Sequence, residues 1–399
     1  MTPEEYNRVF KLPFKEAESF FRNKLNIPTD KWDDLWKGQH AKGFMVAGAQ
    51  KAELLSDFRE AVQKAIDGKM TLKDFQGSFD EIVKKHGWSY NGSRNWRSEL
   101  IYNTNVRSSY MAGRWQQLTE PGARQGARHA IVGARRAVPL LVYRHSDGVS
   151  RPRPLHVSWN GLTLPASHDF WKSHYPPNGW GCRCTVFAAS EKEHREAIAA
   201  GKGEPPRGWT DQDAKTGAPV GIDKGWDYNV GQASEKGYEV LANKFEKLPT
   251  DIAKSWINEF VKQSPFERFI AGKIKGNFPV AVLDKTAREA IKAESQAVWL
   301  SDDSLLKNKG EQPKRSKGHP ELTLNDYRLL PEIIGSPELV IEKEGYKIVA
   351  AKREGSIYMA VVKTTTGKDE LYLVSYRKTN LRDIEAEKAG GNVIHDVLS

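Results

Sequence analysis

Four apolar runs near the C-terminal end constrain the fold of this chain more than any other feature. The runs are ELVIEK, YKIVAAKR, IYMAVVKT and ELYLVSYRK, and the turn-forming pairs between them are Glu344-Gly345, Glu354-Gly355 and Thr366-Gly367. Because connections this short join antiparallel neighbours, the pattern predicts a four-stranded antiparallel sheet. The helical patterns TAREAIKAES and NDYRLLPEII precede the runs. We therefore expect an α+β domain over residues 276–399, with its helices on one side of the sheet.

The N-terminal part of the chain has the apolar periodicity of helices. Its first clear stripe consists of Leu54, Phe58, Val62 and Ile66. This stripe predicts a helix over residues 50–66, and an approximate capping box from Thr71 to Asp74 begins a second helix. A third helix is predicted over residues 95–118, although its middle stretch, NTNVRSS, consists mostly of poor helix formers. Such a stretch indicates a polar seam between helices or a partner surface rather than catalysis.

After Ala137 the sequence changes from helical to strand-like. VPLLVYRH predicts a strand, and LHVSWNGLTLP predicts a β-hairpin because apolar segments flank Asn160-Gly161. A Pro- and aromatic-rich loop then leads into a strand that carries the C-x-C sequence. The chain is thus predicted to be a multidomain α+β protein. Its parts are a helical module with a small hairpin and C-x-C subdomain over 1–190, a helical connector over 191–275, and the C-terminal domain.

Both cysteines of the 399-residue chain, Cys182 and Cys184, lie in the stretch PPNGWGCRC. A disulfide between them is disfavoured because it would close a very small ring with poor geometry. Two interpretations remain open: a pair of small buried side chains on one face of a strand, and two thiolate ligands of a structural zinc ion. The zinc ligands would be completed by His156 and His174, and His168 and Asp169 are also close in the sequence. The C-x-C spacing differs from the C-x-x-C of knuckle-type sites.

The net charge of +10 is unevenly distributed along the chain. Its excess lies before residue 276, where 42 Lys and Arg residues oppose 32 Asp and Glu residues. This excess is either a surface that faces double-stranded DNA or an ordinary surplus on a solvated surface. Two cysteines provide no disulfide framework, and no apolar run has the length of a membrane span or the pattern of a secretion signal. We therefore expect a soluble protein that has no membrane partner.

Four spaced motifs occur together between about residues 35 and 190. They are YNTNVRSSYMAGR, RPRPLHVSWNG, PASHDFW and PPNGWGCRC. In these motifs the chain resembles the phage Mu F-like minor head proteins, also called head-morphogenesis proteins. The matching positions are Arg153, Pro154, His156, Gly161, Asp169, Phe170, Trp171, Pro176, Pro177, Cys182, Arg183 and Cys184. The resemblance implies a minor capsid protein inside the head near the portal, present in the host cytoplasm during assembly. Its implied partners are portal and capsid or scaffold proteins and packaged double-stranded DNA.

The C-terminal part carries a second resemblance. The stretch WLSDDSLLKNKGEQPKRSKGHPELTLNDYRLLPEII and the strands after it resemble the phage branch of the barnase, EndoU, colicin and RelE-like nuclease domains. A Mu F-like module followed by such a domain is the arrangement of phage-encoded polymorphic toxins. The resemblance implies a metal-independent endoribonuclease that acts on RNA as a toxin or effector, without a cofactor and with an immunity protein as a partner.

Metal-free RNA cleavage needs a base for the ribose 2'-hydroxyl, an acid for the leaving oxygen, and cations that offset the phosphate charge. His319 is the candidate acid or base, since like charge beside it keeps a histidine usable as a base near neutral pH. The cations beside it are Lys314, Arg315 and Lys317. The predicted strand ends add Arg353, Ser375, Tyr376 and Arg377. The plainer interpretations are that His319 begins a helix and that the arginines are solvated charges.

A class without catalysis therefore stays open beside the nuclease. In that class the whole chain is a virion scaffold, or a DNA-binding protein, whose C-terminal domain only binds protein or nucleic acid. A zinc hydrolase built on the C-x-C module is not indicated, because the sequence contains no H-E-x-x-H pattern.

Overall fold

The computed structural model of the chain describes residues 14–119, 138–149, 151–311, 318–365 and 370–398. Residue contacts divide the chain into two compact units, Met1–Glu235 and Lys236–Ser399. The division falls inside the segment for which a helical connector is predicted. Among the described residues, no helix is both long and apolar enough to cross a membrane.

The first unit begins with helices. Its helices are α1 (Lys15–Arg22), α2 (Ala52–Ile66), α3 (Leu72–His86), α4 (Arg94–Thr119), α5 (Pro154–Ser158), α6 (Phe170–His174), α7 (Glu191–Ala199) and α8 (Val230–Glu235), with a 3₁₀ turn at Lys37–Ala41. The three helices predicted from periodicity are confirmed as α2, α3 and α4. Thr71 and Asp74 form the predicted capping box at the start of α3. The apolar faces of these helices share one core that contains Phe58, Phe79 and Ile101.

Two small sheets complete the first unit. The parallel pair consists of β1 (Leu25–Asn26) and β2 (Gly43–Phe44). The antiparallel sheet consists of β3 (Leu140–Arg144), β4 (Thr163–Pro165) and β5 (Thr185–Ala189), with β3 in the centre. The strand predicted from VPLLVYRH is thereby confirmed as β3.

The β-hairpin predicted around Asn160-Gly161 is wrong. The segment before these residues folds as the short helix α5, in which Pro154 occupies the first turn. A proline is favourable there because its missing N–H would have no helical partner. Gly161 has a φ of +83° and turns the chain into β4, which pairs with β3 instead of with the preceding segment.

The cysteines also lie outside the strand predicted for them. Cys182 follows Gly181, which has a φ of +69°, and β5 begins only at Thr185. The backbone N–H of Cys182 donates to the carbonyl of Gly179, so the C-x-C sequence leaves a tight turn before it enters the sheet. Its two side chains therefore gain their common direction from a turn and not from strand alternation.

The second unit surrounds one sheet with short helices. The helices are α9 (Ala242–Lys247), α10 (Thr250–Phe260), α11 (Ser264–Ile270), α12 (Lys285–Ile291), α13 (Asp302–Asn308), α14 (Leu324–Arg328), α15 (Leu330–Gly335) and α16 (Leu381–Ala389), with a 3₁₀ turn at Tyr238–Leu241. The predicted break at Pro249 is confirmed, since Pro249 separates α9 from α10.

The sheet of the second unit has seven strands, so the prediction of four is wrong. The strands are β6 (Asn277–Val282), β7 (Ala297–Ser301), β8 (Leu339–Lys343), β9 (Tyr346–Arg353), β10 (Ser356–Thr364), β11 (Leu371–Thr379) and β12 (Asn392–Asp396). The order is β12-β8-β9-β10-β11-β7-β6, and β8 to β11 form the predicted antiparallel meander. β7 joins it in parallel to β11.

The three additional strands are not joined to the meander by short tight turns, so the turn pattern does not predict them. NFPVAV and AVWLS are continuous apolar runs, typical of strands covered on both faces, and lack the alternation of a half-exposed strand. Pro279 is tolerated in β6 because β6 is an edge strand. The opposite edge strand, β12, is mostly exposed and pairs with β8 only through tertiary contact.

Candidate functional site

The C-x-C turn gathers a buried cluster of one histidine and two thiols. The ligand-type atoms of His156, Cys182 and Cys184 all lie within 4.8 Å of one another. His156 Nδ1 is 3.8 Å from Cys182 Sγ and 3.7 Å from Cys184 Sγ. Both cysteines are free and buried. A hydrogen bond from the Cys184 thiol lowers the pKa of Cys182, so one negative charge can be shared between the two sulfur atoms beside the imidazole.

The fold fixes which nitrogen of His156 faces the thiols. His156 Nε2 lies 2.9 Å from the carbonyl oxygen of Gly221, which makes Nε2 the donor and leaves Nδ1 for the sulfur atoms. The imidazole also stacks on Trp159, with ring centroids 5.0 Å apart and an interplanar angle of 23°. The predicted His156 is thus held in one orientation by a carbonyl and an aromatic ring.

A half-buried ion pair supports the turn that precedes Cys182. Arg153 donates from Nη2 to the Asp223 carboxylate at 2.7 Å and to the carbonyl of Trp180 at 3.1 Å. The same carboxylate oxygen accepts the backbone N–H of Trp180 at 2.8 Å. A Cβ at Gly179 would meet the Arg153 guanidinium and the Asp223 carboxylate, so a larger residue would displace this ion pair. Arg153, the first residue of the Arg-Pro motif that the chain shares with the Mu F-like family pattern, therefore supports the turn before Cys182.

The support residues Gly221 and Asp223 were not found by sequence reasoning. They lie in GEPPRGWTDQDAKTGAPVGIDKGW, which has the composition of an exposed loop. The only available signal was the apolar character of Ile222, which is buried among the aromatic residues of this core. Gly221 contacts His156 through its backbone carbonyl. Because every residue has a backbone carbonyl, the composition of the loop does not identify this position.

A second histidine approaches the cysteines from the end of β3. His145 Nδ1 lies 3.5 Å from Cys184 Sγ, and its backbone N–H donates to Asn160 Oδ1 at 3.1 Å. Arg183, between the two cysteines, donates to the carbonyl of Gly148 at 3.1 Å. These bonds hold the segment after β3 against the C-x-C turn. His145 is not among the sequence-predicted ligands, because it precedes the hairpin and loop motifs that contain them.

His174, the fourth residue of the predicted zinc set, is placed elsewhere. Its ring stacks on Phe170 with centroids 4.4 Å apart and meets the edge of Trp159 at 76°. Its Nδ1 lies 2.9 Å from the Ser173 hydroxyl, and Nε2 has no hydrogen-bond partner within the described ranges. Burial, with a smaller effect from nearby His156, lowers the pKa of His174 to about 3, so it is a neutral core residue. The group of three ligand-type residues above does not include it.

The polar middle of α4 lies against this region. Asn103, Thr104 and Arg107 line a cavity of about 180 Å³ that also contains Cys182 and Arg183. The described residues thus favour the interpretation of NTNVRSS as a polar seam, which lies between α4 and the turn that carries Cys182.

Tryptophan side chains line a second surface of the first unit, which we call the tryptophan groove. The groove is lined by Trp32, Trp96 and Trp180, which are 37%, 52% and 39% exposed. Trp180 meets Trp32 edge to face at 5.9 Å and Trp226 at 5.1 Å, which ties the groove to the turn before Cys182. Arg97 and Tyr90 also line it. Exposed aromatic residues that line one groove are typical of protein–protein contact.

In the second unit, the described members of the predicted catalytic set do not meet at one point. Side chains alternate along a strand, so Tyr376 lies on the opposite face of β11 from Ser375 and Arg377. Arg353 lies on the Tyr376 face, because Ala351 pairs with Tyr358 and the Tyr358 ring stacks on Tyr376. The set is therefore divided between the two faces of the sheet.

The charges of that set are also paired. Arg353 forms ion pairs with Glu332 and Glu338 at 3.2 and 2.5 Å, and Arg377 approaches Glu387 at 3.8 Å. His319 Nδ1 lies 3.3 Å from the Glu321 carboxylate. Lys317, together with Lys314 and Arg315, lies outside the described residues.

A buried carboxylate near Tyr376 is not among the sequence-predicted residues. Asp326 is 5% exposed and accepts hydrogen bonds from Tyr358 Oη at 2.6 Å and Lys378 Nζ at 2.8 Å. Thr323 donates to it through both its backbone N–H and its hydroxyl. Although burial raises the pKa of Asp326, the bonds from Lys378 and Tyr358 hold it well below the usual range. Its place in a capping box, T-L-N-D, was the only sequence signal, and that signal indicates a helix start.

Comparisons with known proteins extend the resemblance along the whole chain. The chain is 26% identical to capsid assembly protein F of Escherichia phage Mu, in an alignment that covers 97% of this chain and 95% of the relative. It is 24% identical to the Mu-like prophage FluMu F protein of Haemophilus influenzae, over 93% of this chain and 99% of the relative. No family model and no solved structure matches. These relatives support a phage Mu F-like head protein whose function lies in capsid assembly or head morphogenesis.

Proposed function

We propose that the chain is a minor head protein that binds another head protein through the tryptophan groove of its first unit. The observation that carries this proposal is the exposure of Trp32, Trp96 and Trp180 in one groove. Tryptophan, tyrosine and arginine dominate binding energy at protein interfaces, and Tyr90 and Arg97 lie in the same groove. The near-full-length similarity to a capsid assembly protein supports a head protein as the partner.

A binding assay with the portal and capsid proteins of the same phage tests the groove. Replacement of Trp96 by alanine should weaken binding of the full chain by about 2 kcal/mol, or roughly 30-fold, because a large aromatic contact is lost. Tyr346→Ala is the control, since Tyr346 is an exposed aromatic residue, 38%, in the second unit. Equal binding by the Trp96 and Tyr346 variants would contradict the proposed surface.

The location of the protein in the head is part of the same proposal. We place it inside the capsid near the portal and the packaged DNA, as the family resemblance implies, and the basic excess before residue 276 is compatible with contact to double-stranded DNA. DNA binding by the full chain should then weaken steeply as salt rises, because bound counterions are released from phosphate. Binding that does not change with salt would contradict a phosphate-directed surface.

A metal-independent endoribonuclease in the second unit is the second candidate function. It rests on the resemblance and on one contact system: Asn308 accepts the backbone N–H groups of both His319 and Tyr376. In this candidate His319 acts as base or acid, RNA is the substrate and an immunity protein is the partner. The division of the other predicted residues between two faces favours head assembly as the principal function.

Incubation of the full chain with RNA in the presence of a chelator distinguishes these candidates. A nuclease of this type should leave cyclic phosphate ends, and His319→Ala should reduce cleavage by about 100-fold or more. His395→Ala is the control, since His395 lies in the edge strand β12. If the wild-type chain leaves RNA intact, the nuclease candidate is rejected and the scaffold function stands. If His319→Ala cleaves RNA at the wild-type rate, the assignment of His319 as base or acid is wrong.

A further inference from the structure

We infer that His145, His156, Cys182 and Cys184 bind one structural zinc ion. The three buried members already lie together, with their ligand-type atoms within 4.8 Å of one another. His145 adds a fourth ligand, since its Nδ1 lies 3.5 Å from Cys184 Sγ. Two thiolates and two imidazoles form one of the common structural zinc sets.

The distances fit a tetrahedral ion. With Zn–S near 2.3 Å and Zn–N near 2.05 Å, the sulfur–nitrogen edge of a tetrahedron is about 3.6 Å. The three measured sulfur–nitrogen distances are 3.5, 3.7 and 3.8 Å. All three distances lie within about 0.2 Å of that tetrahedral edge.

The contacts around the ligands match those of a metal site. His156 donates from its other nitrogen to the carbonyl of Gly221, which is the usual outer contact of a zinc-bound imidazole. Asn160 holds the backbone of His145, and Arg183 binds the carbonyl of Gly148 in the same segment. The half-exposed ring of His145 lies outside the group of three, so it must turn toward them when the ion binds.

His145 is the better fourth ligand than the predicted His174. The His174 ring is stacked on Phe170 and meets the edge of Trp159, the same ring on which His156 stacks. Movement of His174 to the thiols would break the aromatic core. Movement of His145 needs only rotation of a side chain on a connecting segment. The ion would then join the end of β3, helix α5 and the C-x-C turn, which are far apart in the sequence.

Metal analysis of the purified full chain tests the site. We expect about one zinc per chain, and cobalt in its place should give the intense visible absorption of a tetrahedral site with thiolate ligands. Cys182→Ser and His156→Gln should each lower zinc affinity by at least about 10-fold, since loss of even an outer contact typically costs 10- to 100-fold. A chain that contains no metal after growth in zinc and gives no cobalt spectrum would overturn the inference.

The choice of the fourth ligand has its own test. His145→Gln should lower zinc affinity by at least about 10-fold and change the cobalt spectrum, while His174→Gln and the surface variant His194→Gln should keep the wild-type spectrum. An unchanged spectrum in His145→Gln would overturn the role of His145. These measurements are independent of partner binding, so their failure would leave the proposed head function in place.

Discussion

The two units differ in how many of their buried polar atoms have a hydrogen-bond partner. Among the described residues, eight of the nine buried side-chain nitrogen or oxygen atoms without a hydrogen-bond partner belong to the first unit. Four of these atoms surround the C-x-C module: Arg153 Nη1, His174 Nε2, Asn178 Nδ2 and Thr185 Oγ1. In the described part of the second unit Arg377 Nε is the one such atom, whereas the buried Asp326 accepts bonds from Thr323, Tyr358 and Lys378.

This difference indicates where the molecule needs something from outside. Buried polar groups in folded proteins are nearly always paired, and donors such as Arg153 Nη1 and Asn178 Nδ2 pair with acceptors of ordered water or of a partner. In the described part of the second unit, the buried carboxylate of Asp326 is paired by side chains of the same unit. The first unit is therefore the one in which buried donors and acceptors leave room for water or for a partner.

Metal removal should give the largest separation between the two units. If zinc joins β3, α5 and the C-x-C turn, a chelator should lower the local opening free energy there by roughly 5–10 kcal/mol, because metal binding contributes directly to folding. Hydrogen exchange of the full chain should then rise in residues 140–190 and stay constant in residues 339–379. An equal rise in both regions, or none in either, would remove the contrast between the units.

A core substitution in the second unit should give the reverse pattern. Ile341 is fully buried in the cluster beneath α16, so Ile341→Ala should cost about 3 kcal/mol by leaving a cavity. Exchange should rise in β8 to β10, and the metal content should stay the same. Ile341→Val, expected to cost about 1 kcal/mol, is the graded control. Loss of zinc in the alanine variant would show that the units depend on each other.

Asp326 should give a smaller effect that depends on pH. Its folded pKa is depressed, so its contribution is present above the unfolded value of about 3.9 and is lost as pH falls through the folded pKa. Asp326→Asn should cost about 2 kcal/mol near neutral pH and should flatten the loss of stability below about pH 4. Urea unfolding at several pH values measures this, with exposed Asp251→Asn as the control. A wild-type acid dependence in Asp326→Asn would assign that dependence to another carboxylate.

Local patterns were enough to predict several elements. Helices α2 to α4 follow from apolar periodicity and a capping box, and the meander β8 to β11 follows from apolar runs between glycine turns. The break at Pro249 follows from the missing N–H of proline. In each case, the physical cause acts between residues that are close in the sequence.

Other features depended on contacts that short-range patterns do not encode. Strands β6, β7 and β12 are placed by pairing with strands distant in the sequence, and the Asn160-Gly161 turn follows a helix because Pro154 and the aromatic core decide the segment before it. Catalytic residues chosen from neighbouring positions, such as Tyr376 and Arg377, necessarily fall on opposite faces of one strand.

The sequence by itself determined that Cys182 and Cys184 lie in one short stretch and that His156 belongs to the same set of spaced motifs. Only the tertiary structure decided that His145, and not His174, approaches the thiols, and that Gly221 and Asp223 hold the surrounding turn. The physical reason is that ligand geometry is a matter of a few ångströms between residues tens of positions apart. Spacing fixes the distance between Cys182 and Cys184, which share one turn, but the direction from which an imidazole arrives is set by the packing of β3, α5 and the aromatic core.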